Sequence, residues 1–160
     1  MSTPSLLEAI RVVKENEQKA SVFYANAAKS TTSPIGRHLF EQLKEFELFH
    51  YARLAALELS LQEKDDFIYY EGKTFPLPPA IEPKPVDDPQ HQTIVNILSA
   101  AMELEKQAEQ AYEELAARIA DPKGNAMFKR LSQEEHNHYR ILNEAYINLN
   151  DLKIWKWSPL

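Results

Sequence analysis

Along this chain the apolar positions recur in alternating steps of three and four residues, the period that gathers side chains on one face of an α-helix. Val13, Ala20, Tyr24 and Ala27 form one such stripe, and Phe40, Leu43, Leu54 and Leu57 form a second. Leu98, Ala101, Ala108, Tyr112 and Leu115 make a third, and Phe128, Leu131 and Leu142 a fourth. Each stripe is interrupted, in phase, by a carboxylate: Glu17, Glu47, Glu105 and Glu135 in turn. His50 and His138 keep the same phase, each three residues after a stripe glutamate. Prolines mark the helix starts. Thr3-Pro4, Ser33-Pro34, Asp88-Pro89 and Asp121-Pro122 each pair an N-cap oxygen with a proline at the first helical position, where the missing N–H costs nothing. The pattern predicts four helices, roughly Pro4 to Ser30, Pro34 to Glu63, Pro89 to Ala120 and Pro122 to Asn148.

Four long helices with few glycines imply an all-α four-helix bundle. The first and third connections span only a few residues and force antiparallel neighbours. The middle segment, about residues 64–88, contains Pro76, Pro78, Pro79, Pro83 and Pro85. At about 3 Å per residue in extended form it can travel the length of the bundle, so helices two and three are expected to run parallel. Phe67, Tyr69, Tyr70 and Phe75 are expected to pack this crossover onto the helices.

The chain also repeats itself. A shift of 88 residues matches Ala20 with Ala108, Tyr24 with Tyr112, Phe40 with Phe128, Leu43 with Leu131, Tyr51 with Tyr139 and Leu54 with Leu142. The same shift pairs Glu17 with Glu105, Glu47 with Glu135 and His50 with His138, so one helical hairpin occurs twice. Burying one unpaired carboxylate costs several kcal/mol, and four facing one another would repel or stay protonated. Two divalent cations would balance four glutamates, and two neutral imidazoles would complete the coordination without adding charge. Such O and N donors do not separate iron from manganese. Tyr24 and Tyr112 either fill the core or orient a bound carboxylate. Glu103, Glu109, Glu113, Glu114 and Glu134 fall off the stripes and are expected on the solvated face, as are His38, His91 and His136.

Composition narrows the chemistry. With no cysteine, disulfides, iron–sulfur ligation and thiol nucleophiles drop out, and any metal must sit on oxygen and nitrogen. A formal charge of −6 without clustered Lys and Arg argues against nucleic acid and anionic lipid as partners. No leader pattern and no apolar run of about 18 residues is present, so a cytoplasmic location off the membrane is expected. At 160 residues the chain is read as one domain over 1–150, with a tail over 151–160. Ile154, Trp155 and Trp157 in that tail are expected to dock over the bundle or over a dimer mate.

One Glu from each of two helices, with Glu-x-x-His from the other two, is the ligand arrangement of ferritin-like di-iron and di-manganese bundles. The stretches ENEQKASVFY and EFELFHYARL, then ELEKQAEQAY and QEEHNHYRIL, resemble the rubrerythrin-like branch of that superfamily across nearly the whole chain. The resemblance implies a ferritin-like bundle of two hairpins joined by a long crossover. It implies Glu17, Glu47, His50, Glu105, Glu135 and His138 as ligands of two iron ions, or of manganese or a mixed pair. It also implies Tyr24 and Tyr112 as hydrogen-bond donors to those ligands. Two features depart from the family. The sequence contains no cysteine, so no rubredoxin domain of the kind that feeds electrons to the centre is expected, and the reductant is expected to be a separate protein. The family's extra glutamate three residues after the third-helix ligand, which exchanges with a histidine as the oxidation state changes, is Ala108 here. The expected function is reduction of hydrogen peroxide or dioxygen by a homodimer supplied by an external electron-donor protein. Alternatives are ferroxidase or iron-storage activity, and a di-metal oxygenase, which would need an apolar pocket open to the metals.

Overall fold

In a computed structural model, residues 3–85 and 87–159 are described, without the side chains of residues 3 and 4. The four helices are α1 (Thr3–Ser30), α2 (Pro34–Lys64), α3 (His91–Arg118) and α4 (Pro122–Leu152). No strand occurs among the described residues.

Local chemistry sets most of these boundaries. Ser33 lies in extended backbone (φ −66°, ψ 127°) and its side chain accepts the Gly36 N–H. Asp121, 88 residues later, adopts nearly the same angles (φ −61°, ψ 128°) and accepts from Lys123 and Gly124. The cap expected from Thr3 involves a side chain outside the described residues. The third start departs from expectation: α3 begins at His91 rather than Pro89, and Gln90 at its cap position makes no side-chain bond. Asp88 is engaged elsewhere, accepting the Gln90 N–H at 2.8 Å and the Thr32 hydroxyl at 3.0 Å. That pair of bonds ties the end of the crossover to the α1–α2 turn. At their far ends α2 and α4 stop alike, on the left-handed residues Asp65 (φ 51°) and Lys153 (φ 58°), also 88 apart.

α1 pairs with α2 and α3 with α4, and the two hairpins meet along α1 and α3. Tyr24 reaches Glu105 while Tyr112 reaches Glu17, so α1 and α3 run antiparallel. Since α1 and α2 are antiparallel too, α2 and α3 run parallel, as the long crossover requires. The apolar core forms two clusters. One contains Leu39, Phe40, Leu98 and Leu142, and the other contains Met127, Phe128, Ile10 and Leu54. The 88-residue shift carries each of those residues onto its counterpart in the other cluster, the mark of a two-fold relation between the hairpins. The six ligand-type residues lie in a polar layer between the clusters.

The tail docks on its own bundle, with Trp155 and Trp157 buried. Trp155 lies edge-on to Phe40 (5.9 Å between centroids) and so close to Gly36 that a Cβ there would meet the indole at 2.5 Å. At the other end Phe67 lies against Gly124 in the same manner, at 2.5 Å. Phe67 and Trp155 are again 88 residues apart, so the repeat continues past each hairpin into the extended segment after it. Along the crossover Phe75 is buried and stacks on Phe46 (5.7 Å), and Phe67 and Tyr70 are half-buried. Tyr69 differs from expectation, being 80% exposed under the Lys123 ammonium. Successive side chains of an extended segment point to opposite sides, so turning Tyr70 inward turns Tyr69 outward.

Candidate metal centre

All six stripe residues meet in the polar layer, and none is more than 2% exposed. α1 supplies Glu17 and α3 supplies Glu105. Glu47 with His50 on α2, and Glu135 with His138 on α4, share a helix face through their three-residue spacing. Ligand atoms group into two overlapping sets, Glu17, Glu47, His50 and Glu135, then Glu47, Glu105, Glu135 and His138, with all atoms of a set within 4.8 Å of one another. Glu47 and Glu135 belong to both sets. They are therefore the carboxylates that two ions held here would share, while Glu17 and Glu105 would each serve one side.

The nitrogens facing this layer are the Nδ1 atoms. His50 Nδ1 lies 2.8 Å from Glu135 Oε1, 3.5 Å from Glu47 Oε2 and 3.6 Å from Glu17 Oε2. His138 Nδ1 lies 3.4 Å from Glu47 Oε1, 3.6 Å from Glu105 Oε2 and 3.9 Å from Glu135 Oε1. The tyrosines take up the outer oxygens: Tyr24 donates to Glu105 Oε1 and Tyr112 to Glu17 Oε1, each at 2.5 Å.

What remains is a set of buried atoms without hydrogen-bond partners: Glu17 Oε2, both oxygens of Glu47, His50 Nδ1, Glu105 Oε2, Glu135 Oε1 and His138 Nδ1. A buried polar atom left unpaired costs about 1–3 kcal/mol, and native proteins seldom leave several together. These atoms converge, they are oxygen and imidazole nitrogen only, and they suit hard or borderline divalent ions. The residues thus fit two metal ions.

Electrostatics lead to the same requirement. Burial and the charges of Glu105 and Glu47 push the Glu135 carboxyl well above its ordinary range. Burial also pushes Glu47 up, but the neighbouring imidazoles of His138 and His50 outweigh this and hold it at about 2. Burial works against protonated imidazole, yet Glu105 and Glu47 raise His138 to about 9. Glu134, Glu135 and Glu47 likewise overcome burial and raise His50 well above its usual value. Without metal, protons on the imidazoles supply the positive charge that this layer needs. Burial, with the carboxylates nearby, pushes both Tyr24 and Tyr112 upward, so each phenol keeps its proton and remains a donor.

The expected solvated face fails at Glu134, which is only 6% exposed. It accepts from His50 Nε2 at 2.8 Å, the Lys73 N–H at 2.9 Å, Arg130 Nε at 3.0 Å and the Tyr70 hydroxyl. Burial pushes its carboxyl up, but His50 and these other donors hold it at about 2. A carboxylate can only accept, so His50 Nε2 carries a proton and Nδ1 is the nitrogen that would be available to a metal. The repeat held a signal for this: the residue 88 positions before Glu134 is Phe46, a core residue. His38 also departs from expectation, half-buried with its Nε2 enclosed and unpartnered. His91 is half-buried as well, and Glu109 is half-buried beneath exposed His136, 2.8 Å from its Nδ1. Glu103, Glu113 and Glu114 are exposed as expected.

Fold and site together define an all-α four-helix bundle with a buried carboxylate–histidine cluster that could hold metal. Residues 96–155, covering most of α3, all of α4 and the first residues of the tail, match the family model described as Rubrerythrin. The chain is similar in structure to a hypothetical protein, Pfu-1136390-001, from Pyrococcus furiosus, with a TM-score of 0.72 over 91% of this chain and 90% of that one at 20% identity. No curated protein matches the sequence. Among the described residues no helix is long and apolar enough to cross a membrane.

Proposed function

We propose that this chain is a di-iron protein that reduces hydrogen peroxide or dioxygen with electrons from a separate donor protein. The observation that carries this reading is the convergence of buried, unpartnered oxygen and nitrogen atoms into two sets that share Glu47 and Glu135. When bound there, two adjacent irons supply two electrons together, so an O–O bond can be cleaved without releasing a radical.

The protein's part is placement and exclusion of water. Glu47 and Glu135, common to both ligand sets, would be shared by two ions, and Glu17 and Glu105 would each hold one. Tyr24 and Tyr112 fix the outer oxygens of Glu105 and Glu17, leaving the inner oxygens directed at the centre. Glu134 orients His50 through Nε2. Ala108 offers no ligand atom, so the reaction proceeds without a side chain from that position joining or leaving the centre. A cytoplasmic homodimer is the setting this reading expects.

Anaerobic reconstitution with ferrous iron should give about two irons per chain, followed by oxidation on adding peroxide or air and re-reduction by an added donor. No iron uptake, or bound iron inert to both oxidants, would overturn the reading. A second reading, oxidation of an organic substrate at the same centre, is favoured by one observation: a cavity reaches the carboxylates between α1 and α3.

A further inference from the structure

The cavity between α1 and α3 measures about 300 Å³. Its floor is formed by Glu17, Glu47, Glu105 and Glu135, and its mouth by the exposed residues Asn16, Lys19, Leu104 and Gln107. The walls between are Val13, Ala20, Phe23, Ala108 and Ala111, whose side chains neither donate nor accept a hydrogen bond, together with Tyr112, whose hydroxyl is already donated to Glu17. Ala20 and Ala108 are counterparts under the 88-residue shift. Two methyl groups therefore stand at the positions where any longer pair of side chains would close the space.

Size and polarity select the occupant. A water molecule takes about 30 Å³ of liquid, so peroxide or dioxygen uses only a small part of the room. Water in the walled section would find few partners, and an apolar cavity of about 150 Å³, half this size, stays dry and accepts benzene. The carboxylate floor and a formal charge of −6 disfavour an anion. We infer that this cavity binds a small, uncharged, apolar organic molecule, about the size of a bicyclic aromatic, directly beside the carboxylate cluster. Its place next to bound metals rests on the di-metal reading, whereas the cavity itself does not.

Indole serves as the probe, titrated calorimetrically into the protein as isolated, with metal content measured on the same sample. Saturable binding is expected, weakened by at least about tenfold in A108L and in A20L, because a leucine side chain at either position takes the space that indole needs. Metal content should not change. If A108L fails to fold, A111L on the same wall takes its place. Absence of saturable binding to a sample carrying two metals overturns the inference and leaves the metal centre standing. Binding that survives in both A20L and A108L places indole elsewhere and overturns it equally. Binding to a sample that takes up no metal upholds the cavity while the di-metal reading falls.

Discussion

The two halves of the polar layer carry the same residue types in different surroundings. On one side His50 Nε2 is fixed by Glu134, which is held in turn by Tyr70, Arg130 and the Lys73 backbone. On the other side His138 Nε2 is buried without a partner. Phe46 lies edge-on to that ring at 4.4 Å between centroids, and Phe75 flanks it at 5.6 Å. Glu134 and Phe46 occupy equivalent positions of the repeat, so a single pair of residues separates a hydrogen-bonded imidazole from one held by packing. A carboxylate behind a ligating histidine fixes its tautomer and raises its basicity. The repeat thus builds two residue sets of one kind, and the residue that breaks the repeat makes them unequal.

The largest test concerns what the halves share. Glu47→Ala and Glu135→Ala each remove a carboxylate common to both ligand sets, so metal content should fall from about two per chain toward zero. Glu17→Ala and Glu105→Ala should each leave about one ion bound. Equal losses in all four variants, read by elemental analysis, would mean that the sets are not divided in this way.

Glu134→Gln tests what the halves do not share. Affinity for one of the two ions should drop by about 10–100-fold, with the other unaffected, as outer partners of metal-bound histidines usually show. Competition against a chelator would resolve this, and two ions weakened alike would erase the distinction between the halves.

A third test uses pH on the metal-free protein. His138 is raised to about 9 in the folded state from 6.5. The stability it contributes is therefore complete below about pH 6.5 and is lost as pH climbs through about 9. The unfolding temperature of metal-free protein should fall over that window. In metal-loaded protein the imidazole is a neutral ligand, and the fall should disappear. A flat profile in both forms would show that the imidazolium does not stand in for metal.

The smallest effect lies at the helix ends. Asp65→Gly and Lys153→Gly each relieve a left-handed residue, worth about 1 kcal/mol. Either should raise the unfolding temperature by about 2–4 °C without altering metal content. Because the two caps are equivalent in the repeat, a clear difference between the variants would show that the bundle's two ends are not equally stable.

Much of this architecture was legible in the residues. Helix count and core phase followed from apolar spacing, and Ser33 and Asp121 mark their helix starts because a short side-chain oxygen before proline acts locally. The six ligand-type residues could be picked out because a charged side chain in core phase needs an explanation. Harder to read were features that depend on long-range neighbours. Glu134 resembles any surface glutamate until Tyr70 and Lys73, more than sixty positions away, close over it. Asp88 resembles a cap until Thr32 takes one of its oxygens. The tail's equivalence with the start of the crossover was masked because Phe67 answers to Trp155 and the segments share little else.

By itself, the sequence determined the four helices, the doubled hairpin and the polar layer's composition, since periodicity, capping and repeat are properties of neighbouring residues. Only the tertiary structure decided that Glu47 and Glu135 are shared between the two sets, that His50 is braced while His138 is not, and that a cavity opens above the carboxylates. Those depend on distances between helices and on where the crossover lies, which packing sets and no local spacing encodes.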